Sequence, residues 1–191
     1  MTTGAAGPAR ADARRNVRAI VDAAAHMLAS DPATPMQDIA EAAGIHRATL
    51  YRHFPAREDL IAALHRRALE DAEEAVRASR IDEGTAIDAL GRVIVALCAV
   101  GDRYRMLVHE AGKDPDLCDQ EDRLGELLRS LVLRGRAEGT VRPELDPDWI
   151  LAVIGGVLLA GLERVSAGVL SPADVPEMVL STVLDGIRVP R

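Results

Sequence analysis

Apolar residues recur along this chain at the spacing of a helix, and nowhere with the clean alternation of a strand, so an all-α fold is predicted. Val17, Ile20, Val21, Ala24, Met27 and Leu28 make one face of a first helix, with Arg14, Arg15, Arg18 and Asp22 elsewhere on it. Ser30-Asp31-Pro32 stops that helix. A short second helix is predicted next, with Thr34 as its cap, Pro35 at the first helical position and Gln37 as capping-box partner. Ile39 and Ala43 face the first helix, while Asp38 and Glu41 face water. Gly44-Ile45 then makes a tight corner into a third short helix, from His46 to about His53. Pro55 ends it and opens a long fourth helix, Ala56 to Arg80, whose inner stripe is Leu60, Ile61, Leu64 and Ala68.

Past Glu83-Gly84 the same periodicity predicts four or five more helices, about nine in all. One starts at Thr85 and is apolar on nearly all sides through Val100, the mark of a central, buried element. Gly101–Ala111 reads as a separate helix, followed by a polar loop, Gly112–Asp119. Glu121–Glu138 is amphipathic, with Leu124, Leu127, Leu128 and Leu131 inward. A turn over Gly139–Asp146 leads to a strongly apolar helix from Pro147 to about Gly168. Asp174-Val175-Pro176-Glu177 caps a last helix carrying Met178, Val179, Val183 and Ile187.

Composition narrows the class. The chain has 191 residues, 48% hydrophobic and 28% charged, as expected of a soluble globular protein. Residues 1–9 are small and polar and read as a flexible arm, not as a secretion signal. The apolar runs Val93–Val100 and Trp149–Leu162 are shorter than the roughly 18–20 residues of a membrane span. Cys98 and Cys118 do not make a disulfide framework, which points to a reducing cytoplasm. The net charge of −7 argues against a nucleic-acid partner until its distribution is considered. Through Arg67 there are nine basic and seven acidic residues, hence +2; beyond it there are 14 and 23, hence −9. One end is mildly basic and holds four of the five histidines, and the other is acidic: two jobs are implied.

A helix, a glycine corner and a second helix within about 20 residues is the plan of a helix-turn-helix, whose second helix fits the major groove. On a wheel advancing about 100° per residue, Leu50 and Phe54 point inward. Ala48, Tyr51 and Arg52 project the other way, flanked by Arg47 and Thr49. Arginine suits guanine edges or phosphate, hydroxyls suit phosphate, and a small alanine permits close approach.

The run Met36-Gln37-Asp38-Ile39-Ala40-Glu41-Ala42-Ala43-Gly44-Ile45-His46-Arg47-Ala48-Thr49-Leu50-Tyr51-Arg52-His53-Phe54-Pro55, followed by Arg57-Glu58-Asp59-Leu60, closely resembles the DNA-binding domain of TetR-type regulators. Ile39-Ala40, Ala43-Gly44, Leu50-Tyr51 and His53-Phe54-Pro55 form a specific combination, and the match spans about Arg14 to Leu64. Beyond the arm over 1–9, the resemblance implies a three-helix DNA-binding domain over 10–55 and a helical ligand-binding and dimerisation domain over 56–191. It implies phosphate contacts at Thr34, Thr49, Tyr51, His53 and Arg57, and the wheel puts Arg52 on the same, DNA-facing side. Base reading falls to Arg47, Ala48 and His46. Two departures stand out: the link Ser30–Pro35 is short and lacks the family's common glycine, and His46 replaces a serine.

The acidic domain carries no sharp motif. Leu90, Ile94, Cys98, Leu127 and Leu131 are core or ligand-lining residues, and Tyr104, His109, Glu110 and Trp149 are the polar or amphipathic groups placed to orient a ligand. Ala152, Gly156 and Ala160 recur every four residues, a stripe that lets helices approach closely. With Met178, Val179 and Val183 they make the homodimer interface that the resemblance implies. The expected partners are double-stranded DNA, a small molecule and a second copy, with no cofactor and no membrane. His26, His46, His53 and His65 lack metal-site spacing. No nucleophile–base pair or phosphate loop supports an enzyme. The reading is a repressor released from a palindromic operator by a ligand; an activator with the same grip, or a helical small-molecule-binding protein without an operator, remains open.

Overall fold

A computed structural model describes residues 8–109 and 118–189. They form eight α-helices and one 3-10 turn: α1 (Pro8–Ser30), α2 (Met36–Ala42), α3 (Arg47–His53), α4 (Arg57–Ala78), α5 (Ala86–Arg103), the 3-10 turn Arg105–His109, α6 (Cys118–Ala137), α7 (Pro147–Ser166) and α8 (Val175–Ile187). The chain divides into two compact units between Arg67 and Ala68, a boundary that falls inside α4.

The first unit is built on the predicted stripe. Ile20, Val21, Ala24 and Leu28 of α1 are buried with Ile39 and Ala40 of α2, Leu50 of α3, Phe54, and Leu60 and Leu64 of α4. The corner after α2 forms because Gly44 takes φ +68°, a left-handed conformation that strains other residues. The amides of Gly44 and Ile45 then close back on the carbonyls of Glu41 and Ala40 at 2.9 and 3.0 Å. The predicted cap of α2 is not formed: Pro35 is the residue before the helix, and no side chain caps it. The Thr34 hydroxyl instead donates backward to the Asp31 carbonyl at 2.7 Å.

The second unit packs around α5, whose Ala86, Ala89, Leu90, Val93, Ile94 and Cys98 are buried. Thr85 caps it, accepting the Asp88 amide. Leu131 and Val132 of α6, Ile150 and Ile154 of α7, and Val179, Val183 and Ile187 of α8 complete the core. Gly101 does not break the chain, as its position after the apolar run suggested. It lies inside α5, where a Cβ would come within 2.7 Å of Leu162 Cδ1, so the residue serves close packing against α7. Of the expected helix Gly101–Ala111, residues 101–109 form the end of α5 plus the 3-10 turn, and Glu110 and Ala111 lie outside the described residues. By length and composition alone the 20-residue α7 is apolar enough to cross a membrane, which the shorter run Trp149–Leu162 did not show. It packs here against α5, α6, α8 and the 3-10 turn.

Candidate nucleic-acid interface

The third helix has two faces with opposite environments. Leu50 and the following Phe54 lie in the core, and His46, Arg47, Ala48, Tyr51 and Arg52 are exposed on the other side; Thr49 is half-buried between them. His46 is the residue that precedes the helix, in extended backbone. Arg47 is held in two ways. Its Nη1 donates to Gln37 Oε1 at 3.3 Å, and its guanidinium carbon sits 5.3 Å from the centroid of the Tyr51 ring. The outward face is therefore a cationic group stacked on an aromatic, beside a second arginine and a methyl-sized gap at Ala48. A helix about 10–12 Å across fits a groove about 12 Å wide, and arginine donors match guanine O6 and N7.

Three predicted DNA contacts stand apart from this face. Thr34 is 6% exposed and its hydroxyl proton is committed to the Asp31 carbonyl, so it does not present a donor to phosphate. Arg57 is half-buried and donates to the carbonyls of Thr34 and Pro32, 2.8 and 2.5 Å away. His53 is half-buried, with Nε2 turned inward and no partner among the described residues. Gln37 was missed: its place near the start of α2 suggested a capping role, and the structure puts its amide on Arg47 instead.

The residues expected to bind a ligand lie in different surroundings. Leu90, Ile94, Cys98 and Leu131 are buried in the core of the second unit. Burial pushes the Cys98 thiol up to about 11, leaving a protonated, weakly nucleophilic group. Tyr104 is buried and donates its hydroxyl to Asp71 Oδ2 at 2.8 Å, where Arg103 also reaches at 3.2 Å. Leu127 packs on the edge of the core. Trp149, 62% exposed, stands on the surface at the start of α7. Glu110 and the side chain of His109 lie outside the described residues. The stripe Ala152, Gly156 and Ala160 is exposed, as is Met178, but Val179 and Val183 are fully enclosed in the protomer's own core and cannot face a partner.

Residues 20–64 match the family model for bacterial regulatory proteins of the tetR family. The chain is also 31% identical, over 175 residues, to the HTH-type transcriptional repressor LfrR of Mycolicibacterium smegmatis, covering 91% of this chain and 90% of that one. This chain belongs to the TetR family.

The likeness of this TetR-family protein extends to solved structures. LfrR in complex with proflavine superimposes with a TM-score of 0.74 at 27% identity, covering 93% of this chain and 99% of that chain. A regulator from Saccharomonospora viridis in complex with choline shares the fold, with a TM-score of 0.73 at 20% identity, covering 91% and 98%. The family model spans Ile20 to Leu64 and so contains all of α2 and α3, while the LfrR match carries the relationship through the second unit. The protein is accordingly a DNA-binding transcriptional regulator of helix-turn-helix type, and not an enzyme.

Proposed function

We propose that this protein is a homodimeric transcriptional repressor that grips a roughly palindromic operator and lets it go when a small molecule binds the second unit. The observation that carries the reading is the outward face of α3, with Arg47 braced by Gln37 and Tyr51 opposite the buried Leu50. Arg47, Ala48 and His46 are assigned to base edges, and Thr49, Tyr51 and Arg52 to phosphate. His53 joins them only if its ring turns outward, and Thr34 and Arg57 leave the set. Repression and ligand response are supported by the relative: LfrR is a repressor and has been seen with proflavine bound.

Two copies must set their recognition helices about one DNA turn apart, ~34–36 Å. The apolar α7 supplies the reason to pair, since only 17% of its most apolar stretch is buried in the protomer. Ala152, Gly156, Ala160 and Met178 are the proposed contact stripe. The domain division follows the resemblance, a reading head and a ligand-binding, dimer-forming body, with α4 belonging to both units. A ligand that prefers a body with a different head separation draws population away from DNA. Tyr104, bonded to Asp71, is the proposed polar contact of that ligand. Such a regulator works in the cytoplasm, beside the DNA it controls.

The test starts from duplexes selected out of random DNA by the full-length protein. The expected site is an inverted repeat bound by two chains, and a panel of small molecules that includes proflavine contains compounds that release it. Selection of no sequence, or one chain bound to an asymmetric site, would contradict the proposal.

A further inference from the structure

The link between α1 and α2 is short and has no glycine, so its backbone groups must find partners in ordinary conformations. Its own donors are used inside the turn. The Asp31 carbonyl takes both the Thr34 amide at 3.1 Å and the Thr34 hydroxyl at 2.7 Å, and Asp31 Oδ1 takes the Ala33 amide at 2.9 Å. The ladder of α2 begins one residue later, at the Pro35 carbonyl, which receives the amides of Asp38 and Ile39. The carbonyls of Pro32 and Thr34 thus stand outside both sets, the second of them on a buried residue. Arg57, the first residue of α4, meets both with the two ends of its guanidinium.

We infer that Arg57 is a positioning residue, a two-pronged clamp that fixes the α1–α2 link to the first turn of α4, and not a phosphate ligand. All members of the clamp precede Arg67 and belong to one compact unit, so the start of α4 and the link ahead of α2 move together. The inference rests on the reading of α3 as the DNA-contacting face, because the purpose of the clamp is to set where α2, and α3 packed on it, are held. The chemistry separates the two roles. A guanidinium spans two carbonyls in a fixed fork, which a single ammonium on a flexible stem does not reproduce. Phosphate, by contrast, accepts lysine readily, and either residue there adds one released counterion to the salt dependence.

Arg57→Lys and Arg57→Gln, compared with the unchanged protein, therefore decide the matter. Binding to the selected duplex is measured across a salt series, and amide hydrogen exchange at Asp31, Ala33 and Thr34 is measured on the free protein. The clamp predicts that both variants bind about tenfold more weakly with the wild-type slope of log affinity against log salt. It also predicts exchange at those three amides about tenfold faster, while the amides of the α5 core are unaffected. Full affinity in Arg57→Lys, a slope reduced by about 0.9 in Arg57→Gln, or unchanged exchange would each overturn it. The exchange arm needs no DNA, so it judges the clamp separately from the reading of α3.

Discussion

Arg47 is exposed yet not free, and that combination is what a reader of bases needs. Gln37 and the Tyr51 ring restrict its rotamers before DNA arrives, which lowers the ordering cost of binding. The bond to Gln37 is long and solvent-exposed, so its loss is worth at most about 1 kcal/mol. Gln37→Ala is therefore expected to weaken operator binding no more than about fivefold, read by fluorescence anisotropy. Cys98 illustrates the opposite environment. With its thiol raised to about 11 by burial, it stays protonated at pH 8 and escapes alkylation by iodoacetamide in the native protein. Labelling of Cys98, mapped by peptide mass, is expected only after unfolding. The outward side chains of α3 were legible from the wheel alone, because Leu50 and Phe54 fix which side is inside. The partners of Thr34 and Arg57 were not legible, because they are main-chain carbonyls that side-chain spacing does not record.

Among the helices, glycines separate what local signals show from what packing decides. Gly44 was read correctly from its place between two short helices, and its φ of +68° is the reason. A Cβ there would meet open space, so Gly44→Ala acts through the backbone only. A loss of about 1–2 kcal/mol is expected, seen as a lower Tm, together with weaker DNA binding as the corner shifts. Gly101 and Gly135 look alike in sequence but differ in what surrounds them. At Gly101 the tight contact is with one end of the Leu162 side chain, which can turn. The alanine gain in helix propensity, about 1 kcal/mol, offsets that cost, and Gly101→Ala is expected to be nearly neutral. At Gly135 a Cβ would lie 2.5 Å from Val141 Cγ2 and 3.2 Å from the Ala86 Cβ, neither of which can swing away. Gly135→Ala should cost about 1–3 kcal/mol in chemical denaturation. No local pattern distinguishes these two, and the same blindness produced the false break at Gly101.

At the scale of the molecule, charge and periodicity predict an all-helical chain with a basic end and an acidic end, and the described residues form eight α-helices. Core and ligand-lining residues are not separable in the sequence, since an apolar stripe looks the same whether it closes a core or borders a space. Leu90 and Ile94 prove to be enclosed, and Trp149 to be exposed. Burial also divides the proposed dimer stripe, keeping Gly156 and removing Val183. An arginine at Gly156, which faces open space in the protomer, should leave the fold intact and block close pairing. Gly156→Arg is expected to elute as a helical monomer in light-scattering chromatography and to lose most of its operator affinity.

The central claim is that the exposed side of α3 meets DNA, and the affinity of Arg47→Ala for the selected operator tests it most directly, with its folding verified. The account predicts a loss of about 1–3 kcal/mol, roughly fivefold to 150-fold, with relaxed preference at the base pair Arg47 reads. Wild-type affinity, with base preference and salt dependence unchanged, would contradict it.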